Sequence, residues 1–467
     1  MRKNRIYKLS YIPVLMVILQ SCFVAKDYSR PDVLEEHYSY RTDMIPSDSS
    51  TLADVSWKEI FSDPQLQQYI DRGLDNNLDI RRALQQVVAA NAYYQQGRAG
   101  FFPTLNASGQ VSHQAMSGNS QFGAFFDGAL TQYDLSGTLS WEADIWGKIR
   151  SNKRAAEASY LQTVAAHQAV KTRLVSGIAS LYYQLLAFDE QKKITEETIA
   201  NRETSLEAMK VLKEAGTVTE VGVKQTEAQL HTAKALLVDI EKNIKLLENT
   251  FSILLGETPG EIHRGTLGEQ KRYDDLKVGY PAQLLRNRPD VIAAEYGLVN
   301  AFELTNVAKS NFYPSLGITV SGGFQSLELD KLLSVHSLFA TTIASLTQPI
   351  FNGRRIRTEY EVSLSQQEIA YLDFKDALLN SSKEVSDAMY AYQAAGQKID
   401  IRQEESDAYD IAIVYSEELL NSGFGNYLEV LTARANALSA ELNLIDAKYE
   451  QLNSIVDLYR ALGGGWQ

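Results

Sequence analysis

Residues 285–324 read LRNRPDVIAAEYGLVNAFELTNVAKSNFYPSLGITVSGGF, and the chain contains this pattern twice. Leu74, Asn76, Asp79, Ala83, Val88, Ala90, Phe101, Pro103 and Leu105 recur 211 positions later. Their counterparts are Leu285, Asn287, Asp290, Ala294, Val299, Ala301, Phe312, Pro314 and Leu316, reached without a gap. In both copies a helical stretch ends in an aromatic pair and a proline, Phe101-Phe102-Pro103 and Phe312-Tyr313-Pro314, and then alternates like a strand. Proline disfavours helix in the residue before it, which gives the change of period a physical cause. A self-match at this distance marks a duplicated half-molecule rather than a short solenoid repeat.

Working outward, the first copy predicts a helix over 64–100, with Asn76-Asn77-Leu78-Asp79 as an interruption and new cap. Trp57 to Leu66 forms a short helical approach to it around Asp63-Pro64. Alternation then predicts strands over 104–114 and 133–141, and over 315–325 and 338–348 in the second copy, with a somewhat shorter loop there. Each approaches the roughly 9–11 residues with which a tilted strand crosses a bilayer. Alternation alone also fits a soluble antiparallel sheet. After each strand pair a glycine restarts the chain, at Trp146-Gly147-Lys148 and Asn352-Gly353-Arg354. Asp144, between Trp141 and Trp146, reads as a cap or turn residue at a strand-to-helix junction.

Beyond these glycines the sequence is helical for unusually long runs. No proline occurs from Thr104 to Thr258 or after Pro349. Sixty-odd helical residues would span about 100 Å, which suits a coiled-coil rod. Leu174, Ile178, Leu181 and Leu185 supply a packing stripe. The long helices turn back at Glu214-Ala215-Gly216-Thr217 and at Asn421-Ser422-Gly423-Phe424-Gly425. Four strands cannot close a barrel. Two chains would give eight, whose interior side chains nearly fill, and three would give twelve and leave a lumen.

A formal charge of -13 argues against a phosphate-binding surface and hence against a nucleic-acid partner. The six histidines are scattered, with no metal-ligand spacing, no phosphate loop and no nucleophile motif, so no catalytic residues, cofactor or metal are expected. Arg2, Lys3, Arg5 and Lys8 precede an apolar run and then Leu19-Gln20-Ser21-Cys22. This is a secretion signal ending like a bacterial lipobox, and Cys22 is the only cysteine, without a disulfide partner. A covalent lipid on Cys22 would tie the mature protein to membrane lipid.

Several motifs together resemble the TolC superfamily of outer-membrane efflux proteins. They are the duplicated halves, the Trp57 to Pro64 approach, Trp141-Glu142-Ala143-Asp144-Ile145-Trp146-Gly147, Gln348-Pro349-Ile350-Phe351-Asn352-Gly353 and the terminal Leu462-Gly463-Gly464-Gly465-Trp466. The lipobox followed by Tyr28-Ser29-Arg30-Pro31 is similar to the lipid-anchored, OprM-type branch. The resemblance implies a mixed α and β fold. In it a homotrimeric outer-membrane β-barrel, four strands per protomer and twelve in all, continues as a long periplasmic α-helical coiled-coil barrel. It implies the exit duct of a tripartite efflux pump for drugs or other small molecules, anchored by lipid in the cell outer membrane. Its partners would be a periplasmic adaptor and an inner-membrane resistance–nodulation–division transporter. The expected organisation is a signal peptide over 1–21, a lipidated extended segment over 22–60, a first repeat over 61–256, a linker or equatorial insert over 257–284 and a second repeat over 285–467.

Family members close the tunnel at its periplasmic tip, some with rings of Asp after the second hairpin glycine. Here Glu429 matches the first acidic position, Thr432 replaces the second, and Gly425 stands where some members carry a basic residue. Gly423, Gly425, Glu429 and Thr432 are therefore the gate candidates, with a solvated helix-face charge as the plain alternative for Glu429. Gly216, Thr217, Gly423 and Phe424 are the candidate adaptor contacts. Two rival functions remain open: the same duct serving type I protein secretion, and a lipidated periplasmic adaptor. An adaptor would carry a single hairpin flanked by small β domains.

Overall fold

A computed structural model describes residues 24–32, 40–41, 50–117, 119, 129–271 and 277–466. The expected signal peptide and Cys22 lie outside the described residues, as do most of 33–49, most of the first strand-pair loop and 272–276 of the expected linker. Element order repeats faithfully. After a short helix α1 (Trp57–Ile60) come α2 (Pro64–Asn76), α3 (Leu78–Ala99), β1 (Thr104–Ala115), β2 (Ala129–Ala143), α4 (Lys148–Glu214) and α5 (Glu220–Leu254). The second copy runs α6 (Leu284–Asn287), α7 (Pro289–Ser310), β3 (Ser315–Ser326), β4 (Leu338–Thr347), α8 (Arg355–Asn421) and α9 (Tyr427–Leu462). Helices α3 and α7 start and stop 211 positions apart, as β1 and β3 do. From α4 and α8 onward the offset is 207, because the second strand-pair loop is shorter.

The local signals act as read. Asp63 caps α2 through the amides of Gln65 and Leu66, with Pro64 in the first turn. The Asn77 side chain accepts from the amides of Asp79 (2.8 Å) and Ile80 (3.1 Å), ending one helix and starting the next. Asp144 accepts from the amides of Ile149 (2.8 Å) and Arg150 (3.0 Å), so it is the cap of α4. The strands extend one to four residues beyond the predicted ends, apart from β4, which stops one residue short.

The chain forms two compact units, residues 1–31, 88–162 and 294–374, and residues 32–87, 163–293 and 375–467. Each repeat contributes to both. The first unit holds the sheet, order β1-β2-β3-β4 and antiparallel throughout. At the foot of the strands Trp146 stacks on Tyr313 at 4.9 Å and donates to the Pro314 carbonyl at 2.6 Å. Residues 26–30 lie along α7. The Asn306 side chain holds both backbone groups of Lys26, Tyr28 meets Phe302 edge-on at 5.6 Å, and Arg30 grips Glu295 with two bonds of 2.6 and 2.7 Å.

The second unit has its core where α2, α4, α5 and α9 meet. Phe61, Leu66, Ile70, Ile178, Tyr182, Leu185, Phe251 and Tyr459 are fully buried there. The linker belongs to this unit. Its Arg264 reaches Asp189 on α4 (2.5 Å) and Glu248 on α5 (2.9 Å). Burial alone would raise the Glu248 carboxyl, but Arg264 and Lys245 hold it below the usual carboxylate range. Toward the turn, α4 buries Thr195, Arg202 and Met209, seven residues apart. Facing it, α5 buries Val223, Thr226, Leu230 and Ala233 at alternating spacings of three and four. This is a coiled-coil seam.

Candidate functional site

The sheet has two chemically distinct faces. Register places Leu105 beside Leu139, Leu139 beside Val320, Leu135 between Gly109 and Phe324, and Phe324 beside Leu338, all on one face. That face is largely apolar, apart from a bonded His113–Thr131 pair, and among the described residues it is open: Leu105 is 74% exposed, Val111 65% and Leu346 69%. The other face is polar and bonded to itself. Ser108 pairs with Ser136 (3.1 Å), Thr138 with Ser321 (3.1 Å), and Gln325 donates to Asp134 (3.2 Å). Leu130, Phe339 and Ile343 are its apolar members. A soluble sheet would cover its apolar side with other elements of the chain; here that side is open, which is the pattern of a barrel with lipid outside and water inside. The outer edges of β1 and β4 have no neighbour in the sheet. Lipid tolerates no such edge, so the sheet is an arc of a closed barrel.

The two helical turns share one backbone solution. At the first, the Gly216 amide bonds to Lys213 O and the Thr217 amide to Leu212 O, with Gly216 at φ 78°. At the second, Gly423 bonds to Leu420 O and Phe424 to Leu419 O, with Gly423 again at φ 78°. Both are Schellman closures, which need a residue that tolerates the left-handed region. Side chains then set the turns apart. Lys213 and Glu220 form an ion pair across the first turn. The second places Phe424 87% exposed, and a Cβ on Gly425 would lie 2.7 Å from Leu420 N and 2.9 Å from Leu419 C. Asn426 caps α9 through the Leu428 amide at 3.0 Å, whereas the equivalent Thr219 makes no side-chain cap bond.

The gate candidates Gly423, Gly425, Glu429 and Thr432 all lie at the second turn; of the adaptor-contact candidates, Gly423 and Phe424 lie there and Gly216 and Thr217 at the first. Glu429 is exposed in the first turn of α9, where a negative charge complements the helix dipole. Thr432 is exposed and spends its hydroxyl on Leu428 O at 2.8 Å.

Sequence reasoning missed the polar contacts joining the two hairpins near their turns. Thr226 bonds to the Tyr427 hydroxyl at 3.3 Å, and Gln229 reaches Leu431 O at 3.5 Å. Arg434 spans from Glu417 (3.1 Å through Nε) to Ser205. Nothing in the periodicity announces these residues, because each becomes a partner only when two hairpins of distant sequence come together.

Comparison with known proteins agrees with this geometry. A family model described as "Outer membrane efflux protein" matches residues 69–257 and 280–464. The solvent efflux pump outer membrane protein SrpC of Pseudomonas putida is 29% identical, over 88% of this chain and 87% of that protein. The probable outer membrane lipoprotein SilC of Salmonella typhimurium is 27% identical, over 98% and 99%. The open-state structure of the Neisseria gonorrhoeae MtrE outer membrane channel superposes with a TM-score of 0.84 at 25% identity, covering 96% of this chain and 99% of that one.

Proposed function

The chain belongs to the outer membrane efflux protein family, and from that membership we propose a working assembly. The protein is the outer-membrane exit duct of a tripartite efflux pump. Three copies join their four-stranded sheets, the β4 edge of one to the β1 edge of the next, into a twelve-stranded barrel with an aqueous lumen. The observation that carries this reading is the sheet itself: an exposed apolar face, a self-bonded polar face and two unpaired edges. Ile411, Val414, Tyr415 and Leu419, exposed on α8 near its turn, would be covered by the neighbouring copy. A periplasmic adaptor would engage the turns around Gly216 and Gly423, and a resistance–nodulation–division transporter would supply the transport energy. Solvent-efflux relatives favour small apolar molecules as cargo. A lipid on Cys22 would add a second hold on the membrane, a reading supported by the lipoprotein name of SilC.

The second turn is the proposed gate, with Glu429 facing the axis so that three copies present one ring of carboxylates and Thr432 leaves a second ring unmade. The test is the mass of the purified protein in detergent together with single-channel conductance in a planar bilayer. A trimer with a small, stable, divalent-sensitive conductance supports the duct; a monomer without conductance overturns it. Glu429→Ala should remove the divalent-ion sensitivity, and an unchanged response would place Glu429 on a solvated helix face.

A further inference from the structure

The duplication allows each position of the second hairpin to be compared with its counterpart 207 residues earlier. In the first hairpin Glu203 on α4 and Lys234 on α5 form an ion pair of 2.7 Å. The same two positions in the second hairpin are Asp410 on α8 and Glu441 on α9. An attractive pair has been replaced by a repulsive one. Among the described residues neither Asp410 nor Glu441 has a basic group within ion-pair distance. Burial, then the charges of Asp410 and Glu197, push the Glu441 carboxyl above its usual range.

The two acids line a cavity of about 330 Å³ between the second hairpin and α4. The charged groups facing it are Glu197 and Arg202 from α4, Asp410 and Glu417 from α8, and Arg434 with Glu441 from α9. No charged group of α5 lines it. Arg434 is already taken by Glu417 and Ser205. Arg202 is only 6% exposed and donates to Gln229 O, while its Nε has no hydrogen-bond partner. The cavity thus holds an under-bonded guanidinium and three carboxylates without basic partners. Such a site is held in place by its surroundings and is sensitive to any change in charge.

We propose that the Asp410–Glu441 position is a proton-operated loosening point of the second hairpin. Its ionised acids drive α8, α9 and α4 apart, and a proton taken up there draws them together. The sign follows from the chemistry. With the carboxylates ionised, Asp410 repels Glu441 between α8 and α9, Glu197 of α4 repels Glu441 across the cavity, and the hairpin stands away from α4. As pH falls through the raised Glu441 value, one acid becomes neutral, repulsion is lost, and its hydroxyl can donate to the other. Lower pH therefore holds the second turn closed, and higher pH releases it. The consequence for transport rests on the proposed duct, but the structural claim does not.

The experiment uses the full-length trimer in lipid nanodiscs, with one protomer carrying spin labels on the exposed residues Glu214 and Asn421 at the ends of α4 and α8. In the native sequence the long-distance population should fall about threefold to tenfold as pH is lowered through the range in which this raised carboxyl takes up its proton. Glu441→Gln should stay at the short distance throughout that range. Glu441→Lys, which recreates the pair of the first hairpin, should do the same. A native population indifferent to pH, or a full shift retained by Glu441→Gln, overturns the proposal. A shift in a trimer that never conducts would sink the duct reading alone.

Discussion

The first and second helical hairpins are copies that have been given different work. Their long helices have equal length and their turns close with the same glycine and the same hydrogen bonds. The first hairpin is self-sufficient: an apolar seam of Val223, Leu230 and Ala233 against Met209, an ion pair at Glu203–Lys234 and another across its turn at Lys213–Glu220. The second is not. Toward its turn α8 buries Ser406 and Ser416 while exposing Ile411, Tyr415 and Leu419, and it sets Asp410 against Glu441. Backbone geometry survived duplication because helix length and turn closure tolerate few solutions. Charge pairing did not survive at every position, and the hairpin in which Asp410 faces Glu441 also carries Glu429 and the exposed Phe424.

The contrast can be broken most severely at Gly425, whose counterpart in the first turn is Val218. Gly425→Val puts a Cβ against the backbone of Leu419 and Leu420 and should cost about 3 kcal/mol of local stability. Hydrogen exchange at the second turn would show it, while Val218→Gly should leave the first turn nearly unchanged. Equal protection in both variants would mean that the two turns are interchangeable. Next come Gly216→Ala and Gly423→Ala. Each forces a side chain into the left-handed region at about 1–2 kcal/mol, and the costs should be equal within error. An unequal pair would show that the shared backbone is not equally strained. Asn426→Ala should lower protection at the start of α9 by about 1 kcal/mol. Thr219→Ala should do nothing at the start of α5, since that cap bond is absent. Smallest is Glu220→Gln, which removes a surface charge pair and should leave thermal stability unchanged at physiological salt. A clear loss there would make the first turn a latch in its own right.

Much of the fold was legible because its signals are local or recur. The self-match fixed helix and strand starts in both halves, Asp144 declared itself a cap by its place before a long helix, and glycine marked each turn. Glu429 and Thr432 could be placed at a turn but not aimed, since exposure in one protomer leaves the direction of the barrel axis to its neighbours. Arg264 stood in a polar linker, and only the fold brings it onto Asp189 and Glu248. The offset that aligns Lys234 with Glu441 was also present in the sequence. Nothing there says that these positions face Glu203 and Asp410.

Sequence by itself determined the duplication, the four strands, the two long hairpins and the family, because periodicity, proline and glycine act within a few residues of the backbone they shape. Tertiary structure decided which face of the sheet is lipid-like, which side chains join the hairpins, and where like charges meet. Those depend on pair distances across segments tens to hundreds of residues apart, and Coulomb repulsion, burial and hydrogen bonding act through space rather than along the chain.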